Sequence, residues 1–220
     1  MRVTAMLFND RRHAGQVLAT KLSQYRARGD VLVLALPRGG VPVAYEVAHA
    51  LDAPLDVFIV RKLGVPGQEE YAMGAIASGG VRVINEEAVR YLRISDEVLD
   101  AVAAREEKEL ERRERSYRGE RAAPDVRGRT VILVDDGLAT GSTMRAAATA
   151  IRSQRPASLV VAVPVAAPDT CEEFRSEVDE IVCAQTPEPF LGVGRWYGDF
   201  SQTSDHEVRE LLEKATRASA

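Results

Sequence analysis

Only two cysteines occur in the 220-residue sequence, Cys171 and Cys183, twelve positions apart and with no Cys-x-x-Cys. Such a pair excludes a disulfide-dense scaffold, and apolar or helical surroundings predict buried free thiols and a cytoplasmic address. Histidine is as sparse: His13, His49 and His206 are scattered without a second metal-type ligand at helical spacing, so no structural zinc is expected. Long apolar runs are missing. The first residues lack an apolar core of signal-peptide length, and the stretch 159–167 is interrupted by Pro164, so neither a signal peptide nor a membrane span is predicted. Positive charge is not in excess: 29 Lys and Arg face 33 Asp and Glu, a net charge of −4 that argues against a nucleic-acid surface. No glycine is followed by Lys-Ser or Lys-Thr, and no Gly-x-Gly-x-x-Gly occurs, so a nucleotide P-loop and a dinucleotide fold are excluded.

What is present centres on residues 131–143, Val-Ile-Leu-Val-Asp-Asp-Gly-Leu-Ala-Thr-Gly-Ser-Thr. Four apolar residues, Val131 to Val134, read as a strand buried on both faces. Asp135 and Asp136 follow at its end. Gly137, Leu138, Ala139, Thr140, Gly141, Ser142 and Thr143 then form a loop that opens a helix to about Arg152. A strand, a glycine-containing loop and a helix start offer backbone N–H groups and a helix dipole to an anion. Gly137 and Gly141 permit close approach, and Thr140, Ser142 and Thr143 add hydroxyl donors. Ionised aspartates are acceptors only, so they suit hydroxyls or a metal rather than a phosphate. Together the two halves suit a phosphorylated sugar.

The rest of the chain supplies a frame. A helix capped by Asn9 or Asp10 runs to about Arg28, and residues 31–36 form a first core strand. Pro37-Arg38-Gly39-Gly40 breaks into a second helix, and residues 56–60 form a second strand ending in Arg61 and Lys62. This βαβ order requires parallel strands. Residues 64–70 read as a loop, and Gly79-Gly80 as the turn of a hairpin. A helix opening at Ser95 becomes highly charged, with favourable pairs Glu109–Arg113, Glu111–Arg115 and Glu114–Arg118. Its thin apolar stripe predicts a helix that projects from the body. Strands follow at 158–166 and 180–184, a helix at 168–178, and a terminal helix behind the capping box Ser204 to Glu207. The expected architecture is a single α/β domain over 1–220: a parallel doubly wound sheet flanked by helices, with its core at about 30–184. Residues 185–220 and the N-terminal helix 9–28 are expected to add a small hood.

The hydrophobic run, two acids and a loop ending Thr-Gly-Ser-Thr resemble the signature of the type I phosphoribosyltransferases. The resemblance implies binding of 5-phosphoribosyl 1-diphosphate with Mg²⁺. The 5-phosphate would lie in Ala139–Thr143 and the ribose hydroxyls on Asp135 and Asp136, which would also hold the metal directly or through water. The diphosphate would lie near Arg38, Gly39, Gly40, Arg61 and Lys62. A family lid would bring Arg112, Arg113 or Tyr117 onto the diphosphate, with Arg113 as the candidate catalytic cation; the open alternative is a solvated charged helix. Phe190, Trp196 and Tyr197 would either stack the acceptor base or pack the hood. The implied activity is transfer of phosphoribosyl to a purine- or pyrimidine-like base with release of pyrophosphate. The alternative is a non-catalytic sensor of the same donor. The small-molecule donor and base are the expected partners, with no nucleic acid or membrane, and a homodimer is usual for such proteins.

Overall fold

The apolar runs of the sequence become the centre of a parallel sheet. The computed structural model describes residues 7–119 and 121–218. Strands β1 (Val31–Ala35), β2 (Leu55–Val57), β6 (Thr130–Val134), β7 (Ser158–Val165) and β8 (Glu180–Gln185) pair in the order β2-β1-β6-β7-β8, all parallel. All five residues of both β1 and β6 are buried, as unbroken apolar strands in a sheet covered on both sides must be. Alternate residues enter opposite layers. Val31, Val33 and Ala35 pack with helices α1 (Arg11–Lys21), α2 (Gly40–Leu51) and α7 (Asp205–Ala218). Leu32 and Leu34 pack with α5 (Ser142–Ser153) and α6 (Pro168–Phe174).

This strand order positions the site. From β1 the chain crosses through α2 to β2 on one side, whereas from β6 it crosses through α5 to β7 on the other. The crevice at the carboxyl ends of β1 and β6 is therefore the topological switch point, where an open parallel sheet leaves room for a ligand. Two loops flank it: residues 36–39 after β1, and residues 135–141 after β6.

Several expectations change. The run 56–60 is not one strand. Phe58 and Ile59 are buried in different layers, and the chain leaves the parallel sheet there to start β3 (Val60–Val65). With β4 (Gln68–Ala77) and β5 (Val81–Ile84), β3 forms a separate antiparallel sheet. The expected Gly79-Gly80 hairpin joins β4 to β5, but most of 64–70 belongs to the β3–β4 hairpin rather than to a loop. The first helix stops at Lys21 and gives way to a 3₁₀ turn. After the short α3 (Glu86–Tyr91), the charged helix α4 (Asp96–Arg118) does not project. Val102, Ala103, Leu110 and Tyr117 are buried, and two ion pairs widen that narrow stripe: the partly buried Arg61–Glu106 at 2.6 Å and the buried Arg118–Asp56 at 2.9 Å. Of its expected surface pairs, Glu109–Arg113 and Glu114–Arg118 form, each at 2.8 Å.

Cys171 and Cys183 are not free thiols. They form a disulfide tying α6 to β8, with Cα atoms 6.7 Å apart, which removes the free-thiol basis for a cytoplasmic address. Among the described residues no helix is long and apolar enough to cross a membrane.

Candidate functional site at the switch point

The acidic pair ends β6 and is enclosed from three directions. Asp135 accepts a hydrogen bond from the Asp136 backbone N–H at 2.8 Å, and the Asp136 carboxylate accepts from Arg11 Nε at 2.8 Å. The Arg11 guanidinium also donates to the Ser201 carbonyl and lies 4.0 Å over the Phe200 ring. Tyr197 donates its hydroxyl to the Asp136 carbonyl. Burial pushes the proton affinity of both carboxyls above the ordinary range. For Asp135 the Asp136 charge adds to that rise, whereas for Asp136 the Arg11 hydrogen bond opposes it. The Tyr197 phenol is raised as well, first by burial and then by Asp136, so it serves as a donor.

The loop after β1 lies against these acids because it has glycines there. A Cβ at Gly39 would fall 2.1 Å from Asp136 Oδ2, and one at Gly40 would fall 2.8 Å from the Val134 carbonyl. Any side chain would displace the loop or the carboxylate. The Pro37–Arg38 peptide within it is cis.

The second loop runs from the acidic pair into the start of α5. Gly141 takes φ +75° as the N-cap of α5, and a Cβ on it would meet the Phe174 ring at 2.6 Å. The loop is pinned from behind. Thr170 donates to the Ala139 carbonyl at 2.6 Å, Arg145 to the Thr140 carbonyl at 2.7 Å, and the Leu138 N–H to Val165 at 2.9 Å. Met144, Ala147 and Ile151 bury one face of α5, while Ser142 and Thr143 stay exposed at its start. These contacts hold the N–H groups and hydroxyls at the start of α5 in place.

Lys62 and Arg61 separate because consecutive strand residues face opposite sides. Lys62 lines a cavity of about 340 Å³ together with Ala75, Val83, Asn85, Ser142 and Thr143. Arg61 turns to α4 and is engaged by Glu106, so it does not reach that cavity's wall. Arg112, Arg113 and Tyr117 line a different pocket, shared with Arg38. Trp196 and Tyr197 are 3% and 4% exposed, packed with Phe8, Ala14 and Val165, so neither ring offers a face for stacking a base. The packing alternative holds for both, while Phe190 is only partly buried against the same cluster.

The switch point therefore gathers Gly39, Gly40, Asp135, Asp136 and the loop 137–143, and Lys62 lines the cavity that Ser142 and Thr143 also line. Local patterning does not mark Arg11. In Asn9-Asp10-Arg11-Arg12 only the capping pattern is visible, and it marks Asp10, which indeed caps α1 through the His13 N–H. Residues 9–193 match the phosphoribosyl transferase domain family. The chain belongs to this family.

As a family member it has relatives of two kinds. It is 47% identical over 211 residues to the provisionally named phosphoribosyl transferase Rv0571c of Mycobacterium tuberculosis strain H37Rv, and equally to MT0597 of strain CDC 1551. The match spans 96% of this chain but only 47% of those relatives, so the chain covers about half their length. The crystal structure of TT1426 from Thermus thermophilus superposes with a TM-score of 0.83 at 43% identity, covering 95% of this chain and 99% of that one.

Proposed function

We propose that this phosphoribosyl transferase domain moves 5-phosphoribosyl from 5-phosphoribosyl 1-diphosphate to a nitrogenous base. The observation that supports the reading is the preformed pair of features at one switch point: a pinned, hydroxyl-rich helix start beside two desolvated carboxylates. The 5-phosphate would sit on the first-turn N–H groups of α5 and the hydroxyls of Thr140, Ser142 and Thr143. Asp135 and Asp136 would accept from the ribose hydroxyls and hold the sugar with its anomeric carbon exposed. The diphosphate would lie against the loop of Arg38, Gly39 and Gly40, with Lys62 nearby.

The base nitrogen attacks the anomeric carbon as the bond to the diphosphate oxygen breaks, through an oxocarbenium-like transition state of the kind found in glycoside chemistry. The chain's contribution is positioning and electrostatics. Adjacent carboxylates disfavoured as ions by burial fit a hard divalent cation such as Mg²⁺, which takes one or two carboxylates and completes its shell with water and substrate oxygens. When bound, the cation would neutralise charge developing on the leaving diphosphate.

One observation favours a second reading, a donor sensor without transfer. The two rings best suited to stack a base are packed into the interior. Incubation with donor, Mg²⁺ and a panel of purine, pyrimidine and nicotinate-like bases separates the two. Pyrophosphate release that depends on the base is expected; tight donor binding with no release for any base would leave the sensor.

A further inference from the structure

One largely covered cation at the switch point has no part in the reaction as proposed: Arg11, the first residue of α1. Its side chain is 12% exposed and that of Asp136 16%, so neither charge is well solvated and each needs the other. Three groups engage the guanidinium. Nε donates to Asp136 Oδ2 at 2.8 Å, a terminal nitrogen donates to the Ser201 carbonyl at 2.7 Å, and Cζ lies 4.0 Å from the Phe200 ring centroid.

This socket is itself fixed. The Gly198 and Asp199 N–H groups donate to the Phe8 and Asn9 carbonyls at 2.8 and 2.7 Å, and the Ser201 N–H donates to the Asp199 carboxylate at 2.8 Å. The strap 198–201 is thus laced to the residues that lead into α1, and Arg11 bridges both to the end of β6. Gly39 crowds the same carboxylate oxygen: a Cβ there would fall 2.1 Å from Asp136 Oδ2 and 3.3 Å from Arg11 Nε. Tyr197 holds Asp136 by its backbone, donating to the carbonyl. Oδ2 therefore faces protein, and Oδ1 is the oxygen left to meet a ligand.

We infer that Arg11 is a positioning residue for the sugar: it fixes the Asp136 carboxylate in the orientation that accepts from a ribose hydroxyl, and so ties α1 and the strap 198–201 to ribose binding. The inference rests on the ribose assignment made above. Arg11 does not touch the sugar and acts through Asp136. Lysine would supply the charge, but a single ammonium cannot offer Nε and a terminal nitrogen to two acceptors while laying a planar face on Phe200. Orientation here requires arginine.

Ribose 5-phosphate, which carries the phosphate and the hydroxyls without the diphosphate, is the probe, titrated calorimetrically into the full chain without a divalent cation. Arg11→Ala and Asp136→Ala are each expected to weaken it about tenfold, the scale of one charge-assisted hydrogen bond. The double variant should match Asp136→Ala alone within about twofold, because no carboxylate remains for Arg11 to orient. Arg11→Lys should not recover wild-type affinity. Inorganic phosphate, which has no ribose hydroxyls, should bind wild type and Arg11→Ala alike. Phe200→Leu keeps the arginine and removes its platform, so it should weaken ribose 5-phosphate about threefold, and only where Asp136 is present; it carries the same test should Arg11→Ala fail to fold. Losses that add in the double variant, full recovery with lysine, or a matching loss of inorganic phosphate each overturn the role. Failure of the wild type to bind ribose 5-phosphate overturns the ribose assignment, and the role of Arg11 with it, whereas additive losses overturn the role alone.

Discussion

The cradle at the start of α5 and the arginine pocket beside α4 both suit anions, the two phosphorylated ends of the proposed donor, yet they are built from different materials. The cradle uses neutral groups, backbone N–H and hydroxyls, from seven consecutive residues held by Thr170, Arg145 and Phe174 behind them. The arginine pocket uses formal charges carried on long side chains from three distant segments. Neutral dipoles fixed by a fold need little reorganisation and depend on the prop behind them. Exposed guanidiniums reach further and respond to salt and to their carboxylate partners. The contrast teaches that geometry governs one site and charge balance the other.

The largest effect that tests this contrast is on the prop. Reducing the Cys171–Cys183 disulfide, or Cys171→Ser with Cys183→Ser, should lower unfolding free energy by about 2–3 kcal/mol, the loop-closure scale for so short a separation. It should weaken donor binding at the cradle, because α6 carries Thr170 and Phe174, and leave binding of inorganic diphosphate by the arginine pocket unchanged; chemical denaturation and calorimetry read both. Next, Gly39→Ala should reduce donor affinity by about a hundredfold, since the added carbon would displace Asp136 or the loop, and misplacement of about 1 Å can have that effect. An unchanged affinity would show that the loop gives way freely.

A smaller effect concerns Asp135. Burial raises its proton affinity, so the folded chain holds a proton that the unfolded chain has already released. The resulting destabilisation is absent below the unfolded pKa of about 4 and grows as pH rises through the folded value. Measured without a divalent cation, Asp135→Asn should therefore raise stability at neutral pH while weakening donor binding. A fall in melting temperature at pH 7 with no change at pH 4 would reverse that sign. The smallest effect is salt. From 0.05 to 0.5 M, binding of inorganic diphosphate by the arginine pocket should fall by about tenfold, and donor binding at the cradle of an Arg112→Ala/Arg113→Ala variant by no more than about threefold.

Much of the cradle is legible in residues 131–143, because a buried strand, a glycine at the turn and a helix start follow from local spacing. Gly39 and Gly40 are legible for the same reason, as glycines just past a strand end. Arg61 and Lys62 illustrate the limit. They are adjacent in sequence, but once the chain leaves the parallel sheet after Val57, strand alternation sends one to Glu106 and the other to the cavity. In sequence, Trp196 and Tyr197 suit stacking and packing equally, and the bridge between Phe8 and Tyr197 resolves them toward packing.

By itself, the sequence determined the strand centres, the positions where glycine alone is tolerated, and the order of acids and hydroxyls along one loop. These depend on neighbours within a few residues. Tertiary structure alone decided that Arg11 would hold Asp136 from 125 positions away, that Cys171 would meet Cys183, and that Arg38 would join the α4 arginines. Each of those contacts depends on where rigid elements bring long or reactive side chains together, and nothing in local spacing encodes that meeting.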